Sequence, residues 1–236
     1  MAYTKLETIT ELKDSVKAIE NLYKANCINW TGITADTEEY YTEVIADELM
    51  SHIGDFSKLK VVTRKSSYYT KSHCKIQIDN CTSNRYEEHF AKRLTGLTLD
   101  GLGLILDYQI PLKDTQYDKG LGKFDLISYN QNSKTLFLIE LKYEGNSETL
   151  LRATLESYTY FNIVDTAKLL SDYSELIGDE NGITVKPAVL VTSGCNAYNE
   201  LLDIKKGFRP YIKALAKGFD MHYFTVECLC QQVVLE

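Results

Sequence analysis

Residues 135–143, TLFLIELKY, form an almost wholly apolar run that ends in a carboxylate and an amine. Just upstream, residues 122–129 (GKFDLISY) alternate as a half-buried strand does, and residues 130–134 (NQNSK) have the composition of a turn. The two runs predict a β-hairpin. Side chains alternate faces along a strand, so Glu140 and Lys142 point to the same side. With the turn centred between Asn132 and Ser133, Asp125 falls directly opposite Glu140, their Cβ atoms about 5 Å apart. Facing carboxylates repel, and a fold that keeps them usually places a cation between them. A metal site with a lysine beside it indicates phosphodiester chemistry.

The chain has 236 residues, which suits one domain of ordinary core size or one domain with an extension. Its 44% hydrophobic and 25% charged content is that of a soluble globular protein. No apolar run approaches the roughly 18 residues of a transmembrane helix, so no membrane partner is expected. The opening residues, MAYTKLET, contain no apolar stretch of a signal peptide, and the expected location is cytoplasmic.

Cys27, Cys74, Cys81, Cys195, Cys228 and Cys230 show no CxxC pair and are expected to be reduced, mostly buried thiols. Cys228 and Cys230 would share a strand face, but zinc sites usually show wider spacing and two such pairs. His52, His73, His89 and His222 have no ligand spacing. The net charge of −7 argues against nonspecific coating of nucleic acid. It leaves room for a local basic groove, because acidic clusters that hold metal ions also lower the total.

Two regions separate by pattern, a mainly helical and basic extension over 1–83 and a second region over 84–236. In the first, Leu6, Ile9, Leu12, Val16, Ile19 and Tyr23 recur at helical spacing and predict a helix over 5–25. Tyr40, Tyr41, Val44, Ile45 and Leu49 predict a second, with Asp36 or Thr37 as N-cap. Strand-like runs follow at 59–63 and 75–78. The second region predicts a helix (85–95), three strands (103–110, 122–129, 135–143), a long helix (147–170), a strand (186–192), a helix (198–217) and a strand (220–227). Gly207 and Pro210 either kink that last helix or restart it at Pro210.

The order αβββαβ, with Asp125 on the second strand and Glu140-x-Lys142 closing the third, resembles the PD-(D/E)xK nuclease superfamily over residues 84–227. The resemblance implies an α/β fold: a mixed central sheet flanked by helices, a restriction-endonuclease-like core, and the helical extension added at its N-terminal side. It implies that Asp125, Glu140 and the Leu141 carbonyl hold Mg²⁺, with Mn²⁺ as a substitute. Lys142 would orient or help deprotonate the attacking water, or steady developing negative charge. Many members carry a glutamate on the first helix. Glu87 shares a stripe with Phe90, Ala91 and Leu94 and so faces the sheet, while Glu88 faces Lys92 and solvent. Arg152, Glu156 and Tyr160, four residues apart, form a polar stripe on the long helix, where a subset of the superfamily has Gln-x3-Tyr. Here glutamate replaces the glutamine. The segment from Gly120 to Asp125 resembles the glycine-rich approach to the catalytic aspartate in several branches.

Residues 58–75 hold Lys58, Lys60, Arg64, Lys65, Lys71 and Lys75 and no acidic residue, with Tyr68 and Tyr69 interleaved. They are expected to grip a phosphate backbone and stack on a base, with Arg64, Lys65 and Lys71 as nucleic-acid contacts. The structural alternative is a solvated hairpin. The implied function is a Mg²⁺-dependent nuclease acting on DNA, and many relatives act as homodimers or beside a partner protein. Two alternatives stand beside it. One is a nuclease-like fold that binds nucleic acid without cutting. The other is a protein-interaction module, in which Asp125 and Glu140 would be apart and exposed. DNA against RNA, endonuclease against exonuclease, and sequence preference stay open.

Overall fold

The computed structural model describes residues 2–71, 73, 85–114, 122–179, 181–227 and the backbone of 233–235. The strand-like run at 75–78, Lys75, Gly120 and the Cys228/Cys230 pair lie outside the described residues.

Helix α1 (Lys5–Val16) opens on a capping box, in which the Thr4 hydroxyl accepts from the Glu7 N–H and the Glu7 carboxylate accepts from the Thr4 N–H. It stops nine residues short of the expected 5–25 helix. Ala18 leaves the helical region, and two short 3₁₀ turns, Ile19–Lys24 and Asn26–Asn29, follow. These turns bury Leu22, Tyr23, Cys27 and Ile28, which a continued surface helix would have spread around its circumference. Helix α2 (Tyr41–Leu49) carries no side-chain N-cap. The expected caps are used elsewhere: Asp36 accepts from the Lys5 N–H, and the Thr37 hydroxyl bonds Thr34 and Glu39. A short helix α3 (Ile53–Phe56) and helix α4 (Tyr86–Leu94) come next.

The strands are β1 (Thr98–Leu99), β2 (Gly103–Pro111), β3 (Lys123–Asn130) and β4 (Thr135–Lys142). After them come α5 (Leu150–Ile163), α6 (Thr166–Ile177), β5 (Thr184–Thr192), α7 (Asn196–Lys205), α8 (Pro210–Gly218), β6 (His222–Val226) and β7 (Val233–Leu235). The single helix expected over 147–170 is two. Val164 is extended and bridges Val62, and Asp165 then caps α6 by accepting from the Lys168 N–H. That bridge is all that remains of the strand expected at 59–63. The last helix does restart at Pro210, which occupies a first-turn position where its missing N–H costs nothing.

Among the described residues seven strands form one mixed sheet in the order β1-β2-β3-β4-β5-β6-β7. Strands β1 to β4 are antiparallel, β4, β5 and β6 are parallel, and β7 returns antiparallel. Each parallel step needs a crossover, and the helix pairs α5–α6 and α7–α8 supply them. Pro187 sits in a central strand without harm, because pairing with β6 begins one residue later at Ala188.

Each sheet face has its own buried cluster. On one, Ile127, Leu136, Leu138 and Val189 pack with Leu12, Tyr23 and Ile28 from the N-terminal turns and with Leu155 and Leu215 from the crossover helices. The described N-terminal elements therefore share a core with the sheet. On the other face, Leu126, Ile139, Leu141 and Phe224 pack against Phe90, Ala91 and Leu94 of α4. Full burial of one such side chain is worth about 1.5–3 kcal/mol, so α4 is held by its apolar stripe. Among the described residues no helix is long and apolar enough to cross a membrane.

Candidate active site

The β3–β4 ladder runs from Asn130↔Thr135 to Leu126↔Ile139, a hairpin centred between Asn132 and Ser133. The Asn130 side chain fixes the turn by accepting from the Asn132 and Ser133 N–H groups. One step beyond the Leu126–Ile139 pair stand Asp125 and Glu140. Both are buried, 7% and 5% exposed, and Lys142 on the same face is 4% exposed.

Beyond β4 the chain turns, and Thr149 caps α5 by accepting from the Arg152 N–H. The buried Glu200 carboxylate accepts from the Leu150 N–H and pins the same helix end. This start sets the helix phase. Arg152, Glu156 and Tyr160, each four residues from the last, then face the end of β4, and Glu148 joins them from the turn before the cap. The Lys142 Nζ lies 2.8 Å from Glu140 Oε1, 2.5 Å from Glu148 Oε2 and 3.7 Å from Glu156 Oε2. Arg152 pairs with Glu148 at 3.0 Å rather than with Glu156, although its Nε–H is not aimed well enough for a hydrogen bond. The Tyr160 hydroxyl donates to Glu156 at 3.0 Å. A phenol has one hydrogen, so the Tyr23 hydroxyl, 2.8 Å away, donates to Tyr160.

From the other side, Glu87 of α4 accepts from the Tyr143 N–H at 3.1 Å. Glu88 turns away, pairing with Lys92 and Arg85. Both glutamates line the larger cavity beside Asp125, but Glu87 alone of the two also lines the smaller one with Glu140 and Lys142. Asp125 is held by two donors: Gln109 Nε2 reaches Oδ1 at 2.8 Å and the Leu141 N–H reaches Oδ2 at 3.0 Å.

Burial pushes Asp125 above the usual carboxylate range, against the pull of Lys142 and the Leu141 N–H. Burial, then the neighbouring Asp125 and Glu156 charges, push Glu140 up further. Glu87 is pushed up to about 7 by burial and by Asp125. Burial alone would lower Lys142, but Glu140, Glu156, Glu148 and Asp125 outweigh it and hold the ammonium well above the ordinary lysine range. Burial, Glu156 and Tyr23 keep Tyr160 a neutral phenol.

These groups line a cavity of about 350 Å³ with Gly122, Lys123 and Asn146. It adjoins a second of about 570 Å³, which shares Glu87, Lys123, Asp125 and Asn146 and adds Arg85 and Gln109. The smaller cavity counts five carboxylates against three cations, a formal excess of two negative charges. Among the described residues no three acidic, histidine or cysteine side chains stand together as a ready metal cage. The Lys142 ammonium occupies the middle of the group instead.

The basic stretch divides. Arg64 is 9% exposed, donates to the Ser67 carbonyl at 3.0 Å and faces Asp114 at 3.6 Å, so its guanidinium is committed within the fold. That corrects its assignment as a surface contact for nucleic acid. Lys65 and Lys71 are exposed. Tyr68, expected to stack on a base, is fully buried, and its N–H donates to Asp172. Its described part, residues 58–71, is a strap that packs Tyr68 and Tyr69 on α6.

Three contributors escaped the sequence reading. Glu148 lies in an irregular turn with no periodicity to orient it. Gln109 reaches Asp125 from a left-handed backbone position. Tyr23 arrives on a 3₁₀ turn rather than on the expected helix.

No protein-family model, curated protein or solved structure matches the chain.

Gly122 admits Tyr160 to the site: a Cβ there would stand 1.9 Å from the Tyr160 hydroxyl and 2.3 Å from its ring. The ring is tethered to Glu156 and Tyr23 and has little room to yield. Gly122→Ala is expected to cost about 1–3 kcal/mol by overpacking and to displace Tyr160. Adding Tyr160→Phe, which removes the nearest atom, is expected to recover part of the loss in a denaturant melt. Equal stability of Gly122→Ala and wild type would contradict this packing.

Glu87 gives a pH prediction. Its folded pKa lies above the unfolded value, so the native state binds the extra proton between about pH 4 and pH 7. Stability is therefore lost as pH rises through that window. Glu87→Gln is expected to flatten the decline by on the order of 1–3 kcal/mol, after allowance for partial solvent screening. It should also reduce activity more than Glu88→Gln. Parallel pH–stability curves for Glu87→Gln and wild type would argue against the assignment.

Proposed function

We propose that the chain is a Mg²⁺-dependent phosphodiester hydrolase of the PD-(D/E)xK kind, acting on nucleic acid and most directly on DNA. The observation that carries this reading is the pair of buried carboxylates, Asp125 and Glu140, beside the buried Lys142, with the half-buried Glu148, Glu156 and Glu87 closing the group. A hard divalent cation prefers oxygen ligands, and an excess of two negative charges is what it would offset. Asp125, Glu140 and the Leu141 carbonyl would hold it, with Glu87 reaching in from the opposite face. When bound, Mg²⁺ acidifies water and draws charge from the scissile phosphate; Mn²⁺ supplies the same chemistry.

The chain's own residues do the rest. The Leu141 N–H and Gln109 fix the plane of the Asp125 carboxylate. Lys142 keeps its proton among the surrounding carboxylates, so it steadies negative charge on the phosphate rather than serving as a base. Glu87, with a pKa of about 7, is poised to take up or give a proton near neutral pH. Tyr160 fixes Glu156, which in turn faces Lys142. Lys65 and Lys71 remain as exposed cations for the phosphate backbone.

The protein-interaction alternative requires Asp125 and Glu140 to be apart and exposed. Their burial and register favour the hydrolase reading over it. Incubation with linear and circular DNA and with RNA, in Mg²⁺, Mn²⁺ or EDTA, tests the proposal. Metal-dependent shortening of a nucleic acid is the expected result. Metal binding without cleavage would leave the binding-only fold. Absence of both cleavage and any effect of the metal on the protein would sink the proposal.

A further inference from the structure

Gln109 is the residue in β2 whose local geometry is hardest to explain by packing alone. Its φ is +52°, in the left-handed region, although it lies between the ladder pairs Tyr108↔Leu126 and Ile110↔Phe124. A glutamine gains nothing from that conformation, which suits glycine or asparagine. Strain of this kind persists where the surroundings over-determine it, and it gathers at functional sites. The conformation does one visible thing: it carries the amide Nε2 to 2.8 Å from Asp125 Oδ1. The other end of the amide, Oε1, is buried without a partner. An amide held only to satisfy itself would not leave its acceptor orphaned, since an unmade bond of this sort is costly. Both departures from comfort serve the single contact with Asp125.

We infer that Gln109 is a positioning residue: it accepts backbone strain and an unsatisfied carbonyl to lock the Asp125 carboxylate against the Leu141 N–H, in the orientation the phosphodiester chemistry needs. The inference rests on the proposed hydrolase reading for its consequence in catalysis, but not for its geometry. Asp125 has two oxygens and two protein donors, Gln109 on Oδ1 and the Leu141 amide on Oδ2. Together they fix its plane. With Gln109 removed, the carboxylate pivots about the remaining bond, and its Oδ2 spends less time on the Leu141 amide.

Gln109→Asn separates strain from contact. Asparagine tolerates the left-handed backbone better than glutamine, yet its side chain is one methylene too short to reach Asp125. The metal-free variant is expected to melt no lower than wild type, and its Leu141 amide to exchange with solvent at least about tenfold faster. Calorimetric titration with Mg²⁺ is expected to show affinity reduced roughly 10–100-fold, as for other residues that orient a metal ligand. Any cleavage should lose kcat with little change in KM for the nucleic acid. An unchanged Leu141 exchange rate, or a melting temperature well below wild type, would overturn the positioning role, whatever the protein's activity. Altered Leu141 exchange in a protein that neither binds Mg²⁺ nor cuts would uphold the geometry and overturn the hydrolase reading instead.

Discussion

Lys142→Ala is expected to remove about 3–5 kcal/mol of stability from the metal-free protein near pH 8 and to abolish cleavage. The ammonium is 4% exposed and stands within 4 Å of Glu140, Glu148 and Glu156. Removing one partner of a buried ionic group costs more than the pairing ever contributed, because the remaining charges keep their desolvation penalty. The loss depends on pH with a definite sign. Asp125 and Glu140 already sit above the usual carboxylate range, and without Lys142 they rise further. A carboxylate raised in the folded state costs stability as pH climbs through the window between its unfolded and folded values. The deficit of the variant should therefore be smallest in acid, where these carboxyls are protonated, and grow as pH rises above their unfolded values. Lys142→Met, which keeps most of the volume, should lose almost as much. A loss seen with Ala and absent with Met would make Lys142 a packing residue. Mg²⁺ should restore much of the stability of either variant, since lysine is not a ligand, without restoring cleavage.

Asp125→Asn is expected to leave the metal-free protein folded while removing the response to Mg²⁺ and lowering cleavage on the order of 10³-fold. Two terms oppose each other in the metal-free protein. The asparagine amide must turn its NH₂ toward either the Gln109 donor or the Leu141 N–H, which loses a hydrogen bond and costs about 1–3 kcal/mol. Against that, Asp125 raises the proton affinity of both Glu140 and Glu87, and neutralising it relieves them. The melting temperature should thus move little. In wild type, Mg²⁺ at a hundred times its Kd adds about 2.7 kcal/mol by linkage. For a chain of this size that is a rise of roughly 5–10 °C. In Asp125→Asn the rise should vanish. A full Mg²⁺ shift in the variant would remove Asp125 from the ion's ligands.

The parts of this site that could be read from the sequence are those fixed by a short-range period. The two-residue period of β4 put Glu140 and Lys142 on one face, and a turn of obvious composition put Asp125 opposite. The helical period of α4 separated Glu87 from Glu88, because Phe90, Ala91 and Leu94 must face the sheet. The period of α5 aligned Glu156 with Tyr160, but the partner of Arg152 lay off the helix, in a turn with no period of its own. Helix ends were less readable for the same reason. Nothing local tells Asp165 to start a helix rather than ride inside one; Val164 pairing with Val62, 102 residues away in sequence, decides it. Gln109 carries no sequence signal at all, since its left-handed backbone is imposed by the strands around it. Arg64 looked like a surface cation because its burial depends on Asp114 and on the strap over α6, both long-range contacts.

The central claim is that these carboxylates are arranged for a divalent cation. Isothermal titration of Mg²⁺ into wild-type protein and into Asp125→Asn, at two pH values on either side of 7, tests it most directly. The account predicts one ion per chain in wild type, with proton release that is greater at the lower pH, because Glu87 holds a proton there that the ion displaces. It predicts no heat of binding at this site in Asp125→Asn. No binding in wild type, or equal binding in both proteins, would contradict it.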